Sequence, residues 1–255
     1  ARFHPGGALG RKLLKVEVGV PTDKGTGKAD TMPVPKNLNY DMWMGPTPVA
    51  PYTEHRVHPQ KGFGRPGWLQ IEQYCRGMIT GWGAHMYDIA QWGLGTDVDS
   101  GPIEIEATAE FPKRGLFNVH TKYSGRAVYA NGVVMTSSAG SAGVKFIGEK
   151  GWIRVTRGGF KADPASLLRA KTPDDGVHLY VSKNHMLNFQ ESMRSRKDPI
   201  CPVEVGHRSN SVCVLHHIAM KLGRKLKWDP KAETFVNDAE ADKLLDYPHR
   251  APWTV

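Results

Sequence analysis

The feature that most restricts what this chain can become is a run of strand-and-turn signals between Pro102 and Gly158. "PIEIEATAEF" alternates Ile103, Ile105 and Ala107 with Glu104 and Glu106, the period-two pattern of a strand that buries one face. "RAVYANGVVMTSS" sets Asn131-Gly132 between two apolar runs, and this dipeptide tolerates the positive φ that tight hairpins require. "VKFIGEKGWIRVTRG" repeats the arrangement around Gly148 to Gly151. Consecutive hairpins join antiparallel neighbours, so residues 102–160 are expected to form an antiparallel sheet. An earlier strand is expected over 12–20, where Val16, Val18 and Val20 share one face and Pro21 ends the run.

Between that strand and the sheet the texture changes. Residues 21–77 carry eight prolines, Pro21 to Pro66, and no sustained period. The aromatics Tyr40, Trp43, Tyr52, Phe63, Trp68 and Tyr74 argue for an ordered wrapping loop, because a solvated linker gains nothing from large apolar rings. From 78 to 94 the period is helical: Met78, Trp82, His85, Ile89 and Trp92 line one face, with Met78, Ile89 and Trp92 expected to pack. Two further helices are expected within 182–222. The first starts from Ser182 as N-cap with a Met186, Phe189, Met193 stripe; the second places Val212, Leu215, Ala219 and Leu222 on one face and stops at Gly223. Residues 223–255 read as a tail. The expected class is α+β: one domain over 1–255, a large, mostly antiparallel open sheet with helices packed on one face and a long ordered aromatic loop.

Composition excludes several functions. A 255-residue chain with 40% hydrophobic residues can bury a real core, and no apolar run approaches the roughly 18 residues of a spanning helix. The formal charge of +9 is spread as short basic pairs among acids, a poor match to a nucleic-acid surface and a fair one to anionic or polar substrates. Neither nucleic acid nor membrane is expected as a partner. Cys75, Cys201 and Cys213 are too few and too scattered for a disulfide framework or a zinc site, and no metal is expected. Unpaired cysteines lean towards a reducing compartment, but cytoplasm and periplasm both remain open.

Six blocks, in this order, carry a family resemblance: "DMWMGPTPVAPY", "GMITGWGAHMYDIAQWGLG", "FIGEKGWIRVTRG", "NFQESMRSRKDPICPVEVGHRS", "KLGRKLKWDP" and "RAPW". Together they resemble the C-terminal half of Gfo/Idh/MocA-type oxidoreductases, in the bacterial branch with a long aromatic loop before the active-site helix. The resemblance implies a two-domain enzyme: an N-terminal Rossmann domain that binds NAD(P), then a sheet domain that binds a sugar or polyol and often forms the oligomer interface. Only the second part is matched. A dinucleotide site needs a strand, a glycine-rich turn and a helix facing the pyrophosphate, whereas "GTGKAD" at Gly25 leads to Pro33 and Pro35. This chain is therefore expected to bind no cofactor alone, with NAD(P) held only by an upstream Rossmann domain; the start at "ARFHPGGALG" suits a cut chain. The family's catalytic lysine would also lie upstream.

In the family, the active-site helix presents an Asp and a His four residues apart. His85 matches the histidine, and the aspartate's position holds Gly81, which carries no proton. His85 is assigned a substrate-facing role, the alternative being a hydrogen-bonded core histidine. Asp88, one turn on, either orients the imidazole or makes a structural contact. Trp82, Trp43 and Tyr52 are candidate sugar-stacking rings, with at least half of the loop aromatics expected to serve the loop's own apolar cluster. His185 and Asn188 resemble cleft-lining residues of the family or form a polar helix flank, and Arg208 holds either a substrate oxygen or a carboxylate elsewhere. His216-His217 is expected to be structural.

Three functions compete. The first is the substrate half of an NAD(P)-dependent sugar or polyol oxidoreductase. The second is a free-standing glycoside hydrolase, drawing two carboxyls from Asp41, Glu54, Glu72 and Asp88. The third is a non-catalytic sugar-binding or oligomerisation module. Self-association through the sheet is expected under all three, because an apolar sheet face must be covered.

Overall fold

The computed structural model describes residues 7–58, 67–98, 100–172, 174 and 176–253. The start of "ARFHPGGALG" and Phe63 lie outside them. Nine strands are seen among the described residues: β1 Leu13–Val20, β2 Pro102–Glu110, β3 Lys122–Tyr129, β4 Val134–Ala139, β5 Gly143–Gly148, β6 Gly151–Thr156, β7 Gly159–Asp163, β8 Leu226–Asp229 and β9 Thr234–Phe235. They form one open sheet in the order β7-β6-β5-β1-β4-β3-β2-β8-β9. β1 inserts between β4 and β5, parallel to β4 and antiparallel to β5; the remaining pairs are antiparallel.

The hairpins form where the turn residues place them. Glu149 and Lys150 alone separate β5 from β6. The β3–β4 connection is longer: Gly132, at φ +80°, donates to the Tyr129 carbonyl at 2.9 Å, and Tyr129 donates to that of Val133 at 3.0 Å. Asn131-Gly132 thus closes a four-residue loop instead of forming a two-residue turn. In β2 a register shift between Pro102 and Glu104 turns Ile103 outward, while Ile105 and Ala107 are buried as the alternation requires.

Helix α3 (Trp82–Leu94) and helix α5 (Val203–Leu222) cover one sheet face. Val16, Val18, Ile105, Ala127, Met135 and Val144 from the strands meet Met86, Tyr87, Ala90, Leu215 and Ile218 from these helices. Two glycines allow the close approach. A Cβ on Gly93 would meet the Phe146 ring, and one on Gly125 would stand 2.6 Å from His216 Cδ2. Buried Gln91 ties the end of α3 to the sheet, taking hydrogen bonds from Tyr129 Oη at 2.6 Å and Thr96 Oγ1 at 2.8 Å on its side-chain oxygen.

Several expectations need correction. The active-site helix does not start at 78: residues Gly77–Ile79 form a 3₁₀ turn and α3 begins at Trp82. Gly77 sits at φ +77°, and the Met78 N–H is taken by the Asp23 carboxylate at 3.0 Å instead of entering a helix. The buried face of α3 is Gly83, Met86, Tyr87, Ala90 and Gln91; His85 and Trp92 are exposed, with Trp82 and Ile89 half-buried. Of the residues expected to pack, Met78 is buried in the 3₁₀ turn and Ile89 is half-buried against the core, whereas Trp92, with His85, lies on the outward face. Helix α4 (His185–Ser195) is capped by Asn184, whose side chain accepts from the Leu187 N–H at 3.0 Å, and not by Ser182. Its stripe of Met186, Phe189 and Met193 is exposed, and Asn188 is its buried residue.

The tail also differs from expectation. It supplies β8, β9 and a short helix α6 (Ala239–Asp242), because Leu226, Trp228 and Phe235 are apolar residues with places in the core. The long loop contains α1 (Tyr40–Met44) and α2 (Glu54–Val57) around a small core of Tyr40, Met44, Tyr52 and Val57. The open sheet face is polar. Since the apolar face is covered by the chain's own helices, uncovered apolar area is not a reason for self-association.

Candidate functional site

The outward face of α3 holds the densest set of site candidates. Trp82 and His85 are in edge contact with ring centroids 5.7 Å apart, and the Arg157 guanidinium, from the β6–β7 turn, lies 5.7 Å from the Trp82 ring centroid. Asp88, one turn beyond His85, is half-buried against α5, where Ser209 Oγ donates to its Oδ1 at 2.8 Å. Burial pushes the Asp88 carboxyl above its ordinary range; the Ser209 hydrogen bond opposes that shift, nearby Asp97 adds to it, and His85 opposes it. Cys201 stands close by, its thiol raised by burial and then by the fields of Asp88 and Asp97. Among the described residues no hydrogen bond joins Asp88 to His85. Asp88 anchors α3 to α5, and its coupling to His85 is through space.

Gly81, where the family's aspartate would stand, is the N-cap of α3, with a non-helical ψ of −89°. A Cβ there would stand 2.8 Å from the Met78 terminal methyl. That methyl is the far end of a flexible side chain, so the local packing does not itself forbid a carboxylate.

The remaining candidates lie in other settings. Tyr52 is buried in the loop cluster, edge-on to Tyr40 at 5.4 Å, with its hydroxyl 2.9 Å from His58 Nε2. Trp43 is half-buried between Tyr40 and Tyr74, at centroid distances of 5.6 and 5.0 Å. Both rings belong to the loop's own small core. Asn188 spends its amide on structure, donating to Tyr180 Oη at 2.6 Å and accepting from the Ile200 N–H at 2.9 Å. His185 is exposed at the start of α4. Arg208 holds Glu204 at 2.6 Å, the Pro230 carbonyl at 2.7 Å and Glu233 at 2.8 Å; it anchors α5 to the β8–β9 turn. The carboxylate-holding alternative for Arg208 is the one observed. Arg157, Ser209 and Cys201 were missed from the sequence, which carries no periodic or motif signal at these positions; only the fold brings them to α3.

His216 and His217 are both buried. His216 Nδ1 donates to the Val212 carbonyl at 2.8 Å, and its ring stacks on Tyr87 at 4.9 Å. His217 Nε2 donates to Glu72 at 2.9 Å. The His217 hydrogen bond, with Lys221 Nζ at 3.0 Å, holds the Glu72 carboxyl down at about 2. This bears on hydrolysis. Glu72 meets α5 at His217 and Asp88 meets it at Ser209, eight residues apart, or about 12 Å of helix rise. A glycosidase pair stands roughly 5 to 10 Å apart, and here Glu72 is held by His217 and Lys221 while Asp88 is held by Ser209. Asp41 is paired with Arg250 at 2.7 Å.

The dinucleotide test fails in the same way as in the sequence. Gly25 and Gly27 take positive φ, Thr26 bridges to the Phe117 backbone, and the next helix is α1 at Tyr40. These residues form no turn-and-helix cradle for a pyrophosphate. Among the described residues no group of three or more His, Cys, Asp or Glu could hold a metal ion, and no helix is long and apolar enough to cross a membrane.

Comparison with known proteins places this geometry. Residues 22–255 match the family model described as "Oxidoreductase family, C-terminal alpha/beta domain". No curated protein matches the chain. Among solved structures, the aldose-aldose oxidoreductase of Caulobacter crescentus complexed with glycerol is similar at a TM-score of 0.53 and 14% identity, over 86% of this chain and 56% of that one. The WlbA dehydrogenase of Bordetella pertussis, in complex with NADH and UDP-GlcNAcA, aligns at 0.52 and 12%, over 88% and 57%. A levoglucosan dehydrogenase in complex with NADH and levoglucosan aligns at 0.51 and 11%, over 86% and 59%. At these identities the likeness is one of fold, and the chain spans less than two thirds of each neighbour's length. Matched over nearly its whole length, the chain belongs to the Gfo/Idh/MocA oxidoreductase family, as the C-terminal α/β domain.

Proposed function

We propose that this chain is the substrate-binding half of a sugar or polyol oxidoreductase, with the outward face of α3 as the wall of its cleft. The observation that carries the reading is the exposed His85 beside the Trp82 ring, on a helix fixed from behind by Asp88 and Ser209. An indole face suits the CH groups of a sugar, and an exposed imidazole can accept or return the hydroxyl proton that carbinol oxidation releases. The hydride is the business of a nicotinamide, for which Gly25 to Gly27 and the segment after them form no cradle. Solved structures named for aldoses, levoglucosan and a UDP-sugar support a carbohydrate substrate. Gly81 means that His85 works without the family's neighbouring carboxylate, and the Arg157 guanidinium lies 5.7 Å from the ring of Trp82 beside it.

Calorimetry of the chain with NADH, paired with chromogenic glycosides assayed without nicotinamide, tests this reading. It requires no NADH binding and no glycoside turnover; either activity would remove it. Self-association through the open sheet face belongs to the same reading as a polar contact. Sedimentation velocity should show it weakening as salt rises, and a monomer at every ionic strength would remove that part alone.

A further inference from the structure

The aromatic loop holds a buried cation that no acid of the described residues neutralises. Arg56, on α2, is only 7% exposed, yet among the described residues its side chain makes no hydrogen bond and no salt bridge, and its Nε is enclosed without a partner. Taking a guanidinium out of water costs free energy unless something returns its hydrogen bonds, and an arginine does not shed its proton to escape that cost. The loop's own acids do not supply the partner. Asp41 is held by Arg250 at 2.7 Å, Asp23 takes the Met78 N–H at 3.0 Å, and Glu72 is held by His217 and Lys221. Asp30 and Glu54 are exposed, and Glu54, two positions before Arg56 on the same helix, does not share its face. The sequence PQKGFGRP at 59–66 contains no Asp or Glu.

A second donor in the same cluster is also unspent. The Tyr74 hydroxyl is enclosed without a partner, whereas that of Tyr40 donates to the Pro51 carbonyl at 3.3 Å and that of Tyr52 meets His58 Nε2 at 2.9 Å. Burial raises the Tyr40 phenol, the Arg56 cation opposes that rise, and Tyr74 and then Tyr52 add to it, so all of these groups lie within electrostatic reach of one hydroxyl. The backbone fixes both donors. Thr53 caps α2, its Oγ1 accepting from the Arg56 N–H at 3.0 Å, and the Tyr74 N–H donates to the Ile71 carbonyl at 2.9 Å. A side chain on Gly67 would run into the His55 carbonyl, so residues Gly67–Gln70 close on α2 backbone to backbone. A buried cation and a buried hydroxyl, both lacking acceptors, are what a carboxylate or phosphate satisfies.

We infer that Arg56 and the Tyr74 hydroxyl form an anion site in the aromatic loop, which takes the carboxylate or phosphate group of a small molecule. The planar guanidinium donates to two of its oxygens and the phenol to one. A residue as enclosed as Arg56 can be reached by a terminal anionic group and not by the flank of a polynucleotide. The site is distinct from the α3 face and does not depend on what that face does.

The test is calorimetric titration of the chain with inorganic phosphate in one arm and glucuronate in the other, on wild type, Arg56→Met, Tyr74→Phe and the exposed control Arg114→Gln. At least one anion should bind wild type, about tenfold more weakly in Arg56→Met, about threefold more weakly in Tyr74→Phe, and unchanged in the control. The tighter arm identifies the group. Glucose, the neutral counterpart, should behave alike on wild type and Arg56→Met. Thermal melts separate a binding role from a structural one, because methionine fills the same place without a charge. In anion-free buffer Arg56→Met should melt at or above wild type, and the anion should raise the melt of wild type but not of this variant. Absence of binding in both arms, equal weakening in Arg114→Gln, or an Arg56→Met chain that melts below wild type without any anion would overturn the inference. So would sedimentation velocity showing an oligomer that Arg56→Met fails to form, since the guanidinium would then be held by another copy.

Discussion

Helices α4 and α5 follow one another in the chain and meet opposite fates. The eleven residues of α4 carry a clear apolar stripe, yet Met186, Leu187, Phe189 and Met193 are each close to half exposed or more, and the buried residue is Asn188. The twenty residues of α5 have almost no amphipathic bias, yet nine are buried, histidines included. The difference lies in what surrounds each helix. α5 is covered by β2 and α3 along its length, and by the Glu72 segment at His217 and Lys221. The two hydrogen bonds of Asn188 tie α4 to its own flanking connections, at Tyr180 and Ile200. An amphipathic pattern records that a face benefits from cover; it does not record what supplies the cover.

Substitutions can break this contrast. The largest effect belongs to α5, where Leu215→Ala should cost about 2 to 5 kcal/mol by urea unfolding, because its fully buried site sits between sheet and helix. Next comes acid. Burial holds the His216 and His120 imidazoles down at about 4, so the folded chain favours their neutral form. That contribution is complete above the ordinary histidine value near 6.5 and is lost as pH falls from there through about 4, on the order of 3 kcal/mol for each ring. The urea midpoint should fall over that window, and less steeply in His120→Phe; a flat midpoint would mean that the rings are not buried neutral.

Gly125→Val sharpens the packing side. Its side chain must displace the His216 ring, and a loss of about 1 to 3 kcal/mol is expected, with a substitution at the exposed turn residue Gly132 unable to reproduce that clash. Asn188→Ala should cost about 1 kcal/mol by freeing the Ile200 N–H and the Tyr180 hydroxyl. The smallest effect is Phe189→Ala on α4, expected within about 0.5 kcal/mol. If it cost as much as Leu215→Ala, α4 would have a buried partner and the contrast would fail.

What could be read from the sequence follows the range of the physics. Alternation in 102–110 and the glycine turns near 132 and 148 are local signals, and local hydrogen bonding settles them; the sheet followed. The inward face of α3 was not legible, because Gly83, Ala90 and Gly93 look like weak packing residues until Phe146 of the sheet is seen to approach Gly93 so closely that a side chain there would clash. Trp92 was expected to pack and is exposed, as is the apolar stripe of α4. The strands of the tail were missed because Leu226 and Trp228 offer only two apolar residues to an alternation, and their pairing with β2 joins residues more than a hundred positions apart. His85 was reachable through the family pattern, whereas Ser209 and Arg157 come to it only through the fold.

The central claim is that α3, and not the more exposed α4, presents the substrate face. Saturation-transfer NMR with a panel of aldoses and polyols on the wild-type chain, Trp82→Ala, His85→Ala and Phe189→Ala tests it directly. The account predicts ligand signals in wild type and Phe189→Ala that are lost in Trp82→Ala and weakened in His85→Ala, with all four proteins folded by circular dichroism. Signals that survive both α3 substitutions, or vanish with Phe189→Ala, would contradict it.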